Sequence, residues 1–81
     1  HPSGLAVDLM LPNWSTADGK AAGWEVANWM RANASALKIQ YIIYDQKIWS
    51  VARASEGWRS MADRGSATAN HKDHVHITVK P

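Results

Sequence analysis

Three of the four histidines in this 81-residue chain, His71, His74 and His76, fall within six residues. Asp73 sits among them, and the β-branched run Val75, Ile77, Thr78, Val79 follows. Imidazole and carboxylate together are borderline ligands suited to zinc, and three protein ligands leave a fourth position open for water. In an extended strand alternate side chains share a face. His74 and His76 are therefore expected to face a cleft, while Val75, Ile77 and Val79 feed a core.

A tripod needs partners from elsewhere, and the start of the chain offers His1 and Asp8. Their odd spacing would put them on opposite faces of one straight strand, but Pro2-Ser3-Gly4 is a turn signal that lets His1 fold back over it. Asp8 is the one polar residue in the apolar run from Leu5 to Met10, and a lone carboxylate there costs free energy unless it is paired or metal-bound. A single strand histidine is usually a packed or surface residue. HxxHxH together with His1 and Asp8 reverses that expectation. A purely structural zinc favours four protein ligands and cysteine, of which the chain has none.

The elements that must position these groups are few. Leu5 to Met10 reads as a buried strand, broken by Leu11-Pro12-Asn13-Trp14. Ser15 or Thr16 then offers a helix N-cap, with Asp18 in the first turn where the helix dipole favours negative charge. The helix is expected to run to about Leu37, presenting Ala22, Val26, Trp29, Met30, Ala34 and Leu37 to a sheet, with Gly19 and Gly23 weakening its start. Trp24 and Trp29 are assigned to helix packing. Ile39 to Tyr44 and Lys47 to Val51 read as strands joined at Asp45-Gln46, a short hairpin without the usual glycine. From Ala52 to Asn70 no period is sustained, and the segment reads as a long loop of the kind that serves as a lid or binding segment. The expected fold class is α+β: a small, mostly antiparallel sheet of about four strands, one main helix on one face and the zinc site on the other.

Composition bounds the rest. A single domain of this length has a small core, and without disulfides burial must stabilise it. Hydrophobic residues make up 46%, with five tryptophans and no phenylalanine, which supplies that material. A formal net charge of +2 without clustering does not indicate nucleic-acid binding, though it suits an anionic cell wall. No apolar run approaches membrane-spanning length.

HxxxxxxD followed much later by HxxHxH resembles the zinc peptidases that share a fold with lysostaphin, the bacterial D-Ala-D-Ala metallopeptidases and the hedgehog signalling domain. The wording from Tyr41-Ile-Ile-Tyr-Asp through Ile48-Trp-Ser and Gly57-Trp-Arg to Thr68-Ala-Asn-His-Lys-Asp-His-Val-His resembles a small secreted domain of actinobacteria and phages. The resemblance implies Zn2+ held by His1, Asp8 and His76, with His71 and His74 as outer-shell or transition-state histidines. Asp73 stands where many relatives place a glutamate general base. Aspartate is one methylene shorter and Asp73 has the opposite strand parity to His74 and His76, so His71 or His74 remains an alternative base. The implied function is a zinc-dependent metallopeptidase that cleaves peptidoglycan stem peptides or cross-links, as carboxypeptidase or endopeptidase, secreted, wall-associated or phage-borne. A monomer is expected. Such relatives usually carry a segment ahead of the first ligand histidine, with part of the substrate site and often an arginine; were it lost here, the domain would be expected to bind zinc but hydrolyse poorly.

Trp49, Arg53, Trp58 and Arg59 are candidate substrate-binding residues: a tryptophan can line a groove and a guanidinium can hold a carboxylate in bidentate fashion. The plainer reading makes the tryptophans core and the arginines solvated surface. The alternative function is a non-catalytic cell-wall or metal-binding module that keeps the tripod. If His1 were the mature terminus, its α-amine and imidazole could instead chelate Cu(II).

Overall fold

The computed structural model describes residues 5–66, 68 and 70–80. The chain runs through strand β1 (Leu5–Met10), helix α1 (Ala17–Ala32), a one-turn helix α2 (Ala34–Leu37), strands β2 (Ile39–Tyr44) and β3 (Lys47–Ser50), a 3-10 segment (Val51–Glu56), strand β4 (Arg59–Ser60) and strand β5 (His74–Val79). The strands form one sheet in the order β1-β5-β2-β3-β4, and every pairing is antiparallel. The α+β class stands, with five strands rather than about four. The additional strand, β4, lies inside the segment read as a loop; with only two residues it shows no period, and its pairing to Lys47 and Ile48 is tertiary.

Thr16 caps α1: its hydroxyl accepts from the Gly19 amide at 2.9 Å and donates to the Asn13 carbonyl at 2.8 Å. The helix ends sooner than its apolar spacing suggests, because Asn33 interrupts it and Lys38 adopts a left-handed conformation after α2. Its buried stripe is Gly19, Gly23 and Ala27, not the face containing Ala22 and Trp29. Trp29 is 56% exposed, so its assignment to helix packing is corrected. Small residues win that face because α1 lies close to the sheet: a Cβ on Gly23 would stand 2.2 Å from the Tyr44 hydroxyl. Val26 and Met30 do pack against the core. Trp24 meets Tyr44 edge-on with ring centroids 5.1 Å apart.

The core comprises Ala27, Ala34, Ile39, Ile42, Tyr44, Trp49, Val75 and Ile77. It lies between the helices and the near face of the sheet. β1 is an edge strand and not the buried one expected, with Val7 47% and Met10 65% exposed. At the β2–β3 hairpin both Asp45 (φ 49°) and Gln46 (φ 62°) take positive φ. That is the twist a two-residue hairpin requires, here reached without glycine. Among the described residues no helix is long and apolar enough to cross a membrane.

Candidate functional site

The far face of the sheet carries the histidine cluster. β1 pairs with β5 so that Asp8 lies directly opposite His76 and Met10 opposite His74, and directly opposed residues project to the same side. Along β5 the expected alternation holds: Val75 and Ile77 are buried in the core, while His76 and Thr78 are half-buried on the other side. Residues 68 positions apart thus meet because the first and last strands are neighbours.

His76 Nδ1 donates to Asp8 Oδ1 at 2.8 Å, and the Thr78 hydroxyl lies 2.9 Å from Nε2, where it donates to the neutral ring. Tyr41 stacks on the His76 ring with centroids 5.9 Å apart and planes at 22°. His74 is buried, and its Nδ1 donates to Asp73 Oδ1 at 2.7 Å. His74 Nε2 stands 3.8 Å from Asp8 Oδ1, and in the neutral ring that donates through Nδ1 it carries the lone pair. An acceptor then faces an acceptor, a juxtaposition that a cation or an added proton relieves. The His71 ring completes the group, 4.7 Å from His74 and 5.5 Å from His76 between centroids.

Asp73 uses both oxygens: Oδ1 receives His74, and Oδ2 accepts the Thr68 hydroxyl at 2.8 Å. The His74 hydrogen bond, helped by Thr68, holds its carboxyl below the usual aspartate range. Asp73 is therefore ionised and weakly basic, in the geometry of a carboxylate that orients an imidazole.

The segment before β5 is set by contacts that motif reading did not find. The amides of Asp45 and Gln46, turned outward by their positive φ, donate to the carbonyls of His71 and Asn70 at 2.7 Å each. Buried Asn70 accepts from the Arg64 amide at 2.7 Å and donates to Asp63 Oδ1 at 2.9 Å. The Leu11 amide donates to the Asp73 carbonyl at 2.9 Å, tying the exit of β1 to the entry of β5. Thr78, Tyr41, Thr68 and Asn70 had no chemical signature in sequence; only their partners across the sheet or loop reveal them.

The four substrate-binding candidates separate. Arg59 alone shares the face of the histidines, since it pairs with Ile48, Ile48 with Ile43 and Ile43 with His76. Trp49 projects to the helix side, only 5% exposed, with the Arg31 guanidinium 5.7 Å from its ring. Trp58 meets Trp24 edge-on and donates to Asn28 Oδ1 at 3.1 Å, which also places it against α1. Arg53 pairs with Glu56 within the 3-10 segment.

Of the expected zinc ligands, Asp8 and His76 meet, and His1 lies outside the described residues. Among the described residues no group of three or more histidine, aspartate or glutamate side chains is set to hold a metal ion as it stands. Carboxylate and imidazole are nonetheless donor types that zinc takes. Of the expected ligands, Asp8 Oδ1 and His76 Nδ1 stand 2.8 Å apart, a hydrogen-bond distance shorter than the separation of about 3.3 Å that two donors keep on a tetrahedral zinc.

The chain is 34% identical over 88 aligned positions to an "Uncharacterized secreted protein" of Arthroderma benhamiae. The alignment covers 88% of this chain but 36% of that protein, so the chain spans about a third of the relative's length. No solved structure matches it. The family model described as "VldE, C-terminal domain" matches residues 1–72, which take in His1, Asp8 and His71 together with the whole helical layer. By that match this chain belongs to the VldE C-terminal domain family.

Proposed function

We propose that this domain is a zinc-dependent hydrolase of peptidoglycan peptide bonds. The observation that carries the reading is the meeting of Asp8 and His76 across β1 and β5, with the rings of His74 and His71 packed around them. His1, Asp8 and His76 would hold the ion. When bound, zinc supplies polarisation of the amide carbonyl and activation of water. His74, anchored through Nδ1 to Asp73, keeps Nε2 free to take a proton, so the base role falls to His74 and Asp73 becomes a positioning residue. The name of the fungal relative, a secreted protein, supports placing the domain outside the cell or at the wall, whether host- or phage-borne.

Incubating zinc-loaded protein with purified peptidoglycan tests this by the release of new free amines. Their absence, with the protein retained on the wall, would favour the second reading, a wall-binding module without turnover. One observation speaks for that alternative: His76 already has a protein partner at each ring nitrogen, Asp8 and Thr78.

A further inference from the structure

Past His76 on the same face of the sheet lies a groove of about 470 Å³ lined by Gln40, Tyr41, Ser50, Val51, Ala52 and Lys80. Tyr41 belongs to both places: its ring stacks on His76 and forms a wall of the groove. The strand register explains the continuity, since Tyr41 pairs with Thr78 on one side and with Ser50 on the other. Lys80 closes the far end, its backbone amide fixed on the Lys38 carbonyl at 2.7 Å. Among the described residues no carboxylate side chain lines the groove. The adjoining cavity of about 350 Å³, which shares Val51 and Lys80, is bordered by Arg31 and Lys38, and among the described residues no carboxylate side chain lines it either. Both lysines are exposed.

We infer that this groove receives the C-terminal end of a peptide, with its free carboxylate on Lys80 and its apolar atoms against Tyr41, Val51 and Ala52. The assignment rests on the proposed function in taking the histidine cluster as the place where the peptide is cut. Two features select a peptide carboxylate over other occupants. The walls are mainly apolar with one cation among them, and the groove shares Tyr41 with the histidine cluster. From His76 to Lys80, one residue past β5, is four residues, about 13 Å, so there is room for about four extended residues, or an acetyl group and three, beyond the cluster.

The test is an amide NMR titration of the protein with acetyl-Ala-Ala-Ala bearing a free carboxylate, and with the same peptide amidated. The free acid is expected to perturb residues 40, 41, 50–52 and 80 and to bind about threefold to fivefold more tightly, the scale of one partly exposed charge pair. Lys80→Met should remove that difference, and Lys38→Met, on the adjoining cavity, should keep it. Equal affinity for the two peptides, or perturbations on another face, overturns the inference. Because the readout is binding, the two readings fail separately. Groove binding without wall hydrolysis removes the peptidase and leaves the groove; hydrolysis with no preference for the free acid does the reverse.

Discussion

Removal of the His76 ring separates a metal centre from a self-sufficient histidine–aspartate pair. Without zinc the variant loses a cross-strand pair whose carboxylate side chain is 53% exposed, together with the Tyr41 stack. An exposed pair contributes about 0.2–1 kcal/mol and an aromatic contact about 0.5–1.5 kcal/mol, so His76→Ala should cost about 1–2 kcal/mol in chelator. With zinc the scale changes. Free ion at a hundred times its dissociation constant stabilises a native state by about 2.7 kcal/mol. In a domain of this size each kcal/mol moves the melting temperature by about 4–8 °C. The wild type should therefore rise by about 11–22 °C on zinc addition, and His76→Ala should not rise at all. Melting each protein in chelator and in zinc gives a difference of differences from which the zinc-free cost cancels. A variant that keeps the full zinc shift would refute the placement of His76 in the metal site. A wild type with no shift would remove the metal altogether.

Asp73→Ala should retain zinc and lose turnover of peptidoglycan, because the carboxylate positions His74 and is not a ligand; loss of bound metal, measured by elemental analysis, would contradict that division. Gly23→Ala should destabilise the fold by about 1–3 kcal/mol in urea titration, since the added methyl meets Tyr44 and Leu11 at 2.9 Å or less. Asp63, whose carboxyl is pulled down by Asn70 and by the Gly65 amide, contributes stability that is fully present above its ordinary aspartate value. That contribution is lost as pH falls through the lower folded value. Asp63→Asn should flatten the acid limb of a stability profile, and an unchanged limb would exclude this role.

The parts of the site that follow from spacing along one strand were legible in the sequence. His74 flanks a ladder in which Val75 and Ile77 alternate with His76, so the division of β5 into a core face and a chemical face follows from strand parity. The pairing of Asp8 with His76 could be anticipated once the two strands were taken as neighbours. The helix face was less legible, because glycine carries no hydropathy signal: the close approach of Gly23 to Tyr44 selects the buried stripe, while apolar periodicity pointed to Trp29. The substrate-binding candidates failed to gather for a related reason. A tryptophan in a short strand is equally compatible with either face, and register to β2 sends Trp49 to the core. The partners that fix His71 were invisible for another reason. They are backbone amides at Asp45 and Gln46, and no side-chain pattern announces a backbone donor.

Among the described residues β1 has a neighbour on one side only, β5. Strands at a sheet margin open at lower free energy than central ones, so the carboxylate of Asp8 belongs to a rung held less firmly than those of β2. An ion shared by Asp8 and His76 would act as a rivet there, and amide exchange in residues 6–10 would slow on loading more than in β2. Occupancy of the centre and attachment of the leading strand would then be one equilibrium, read from either end.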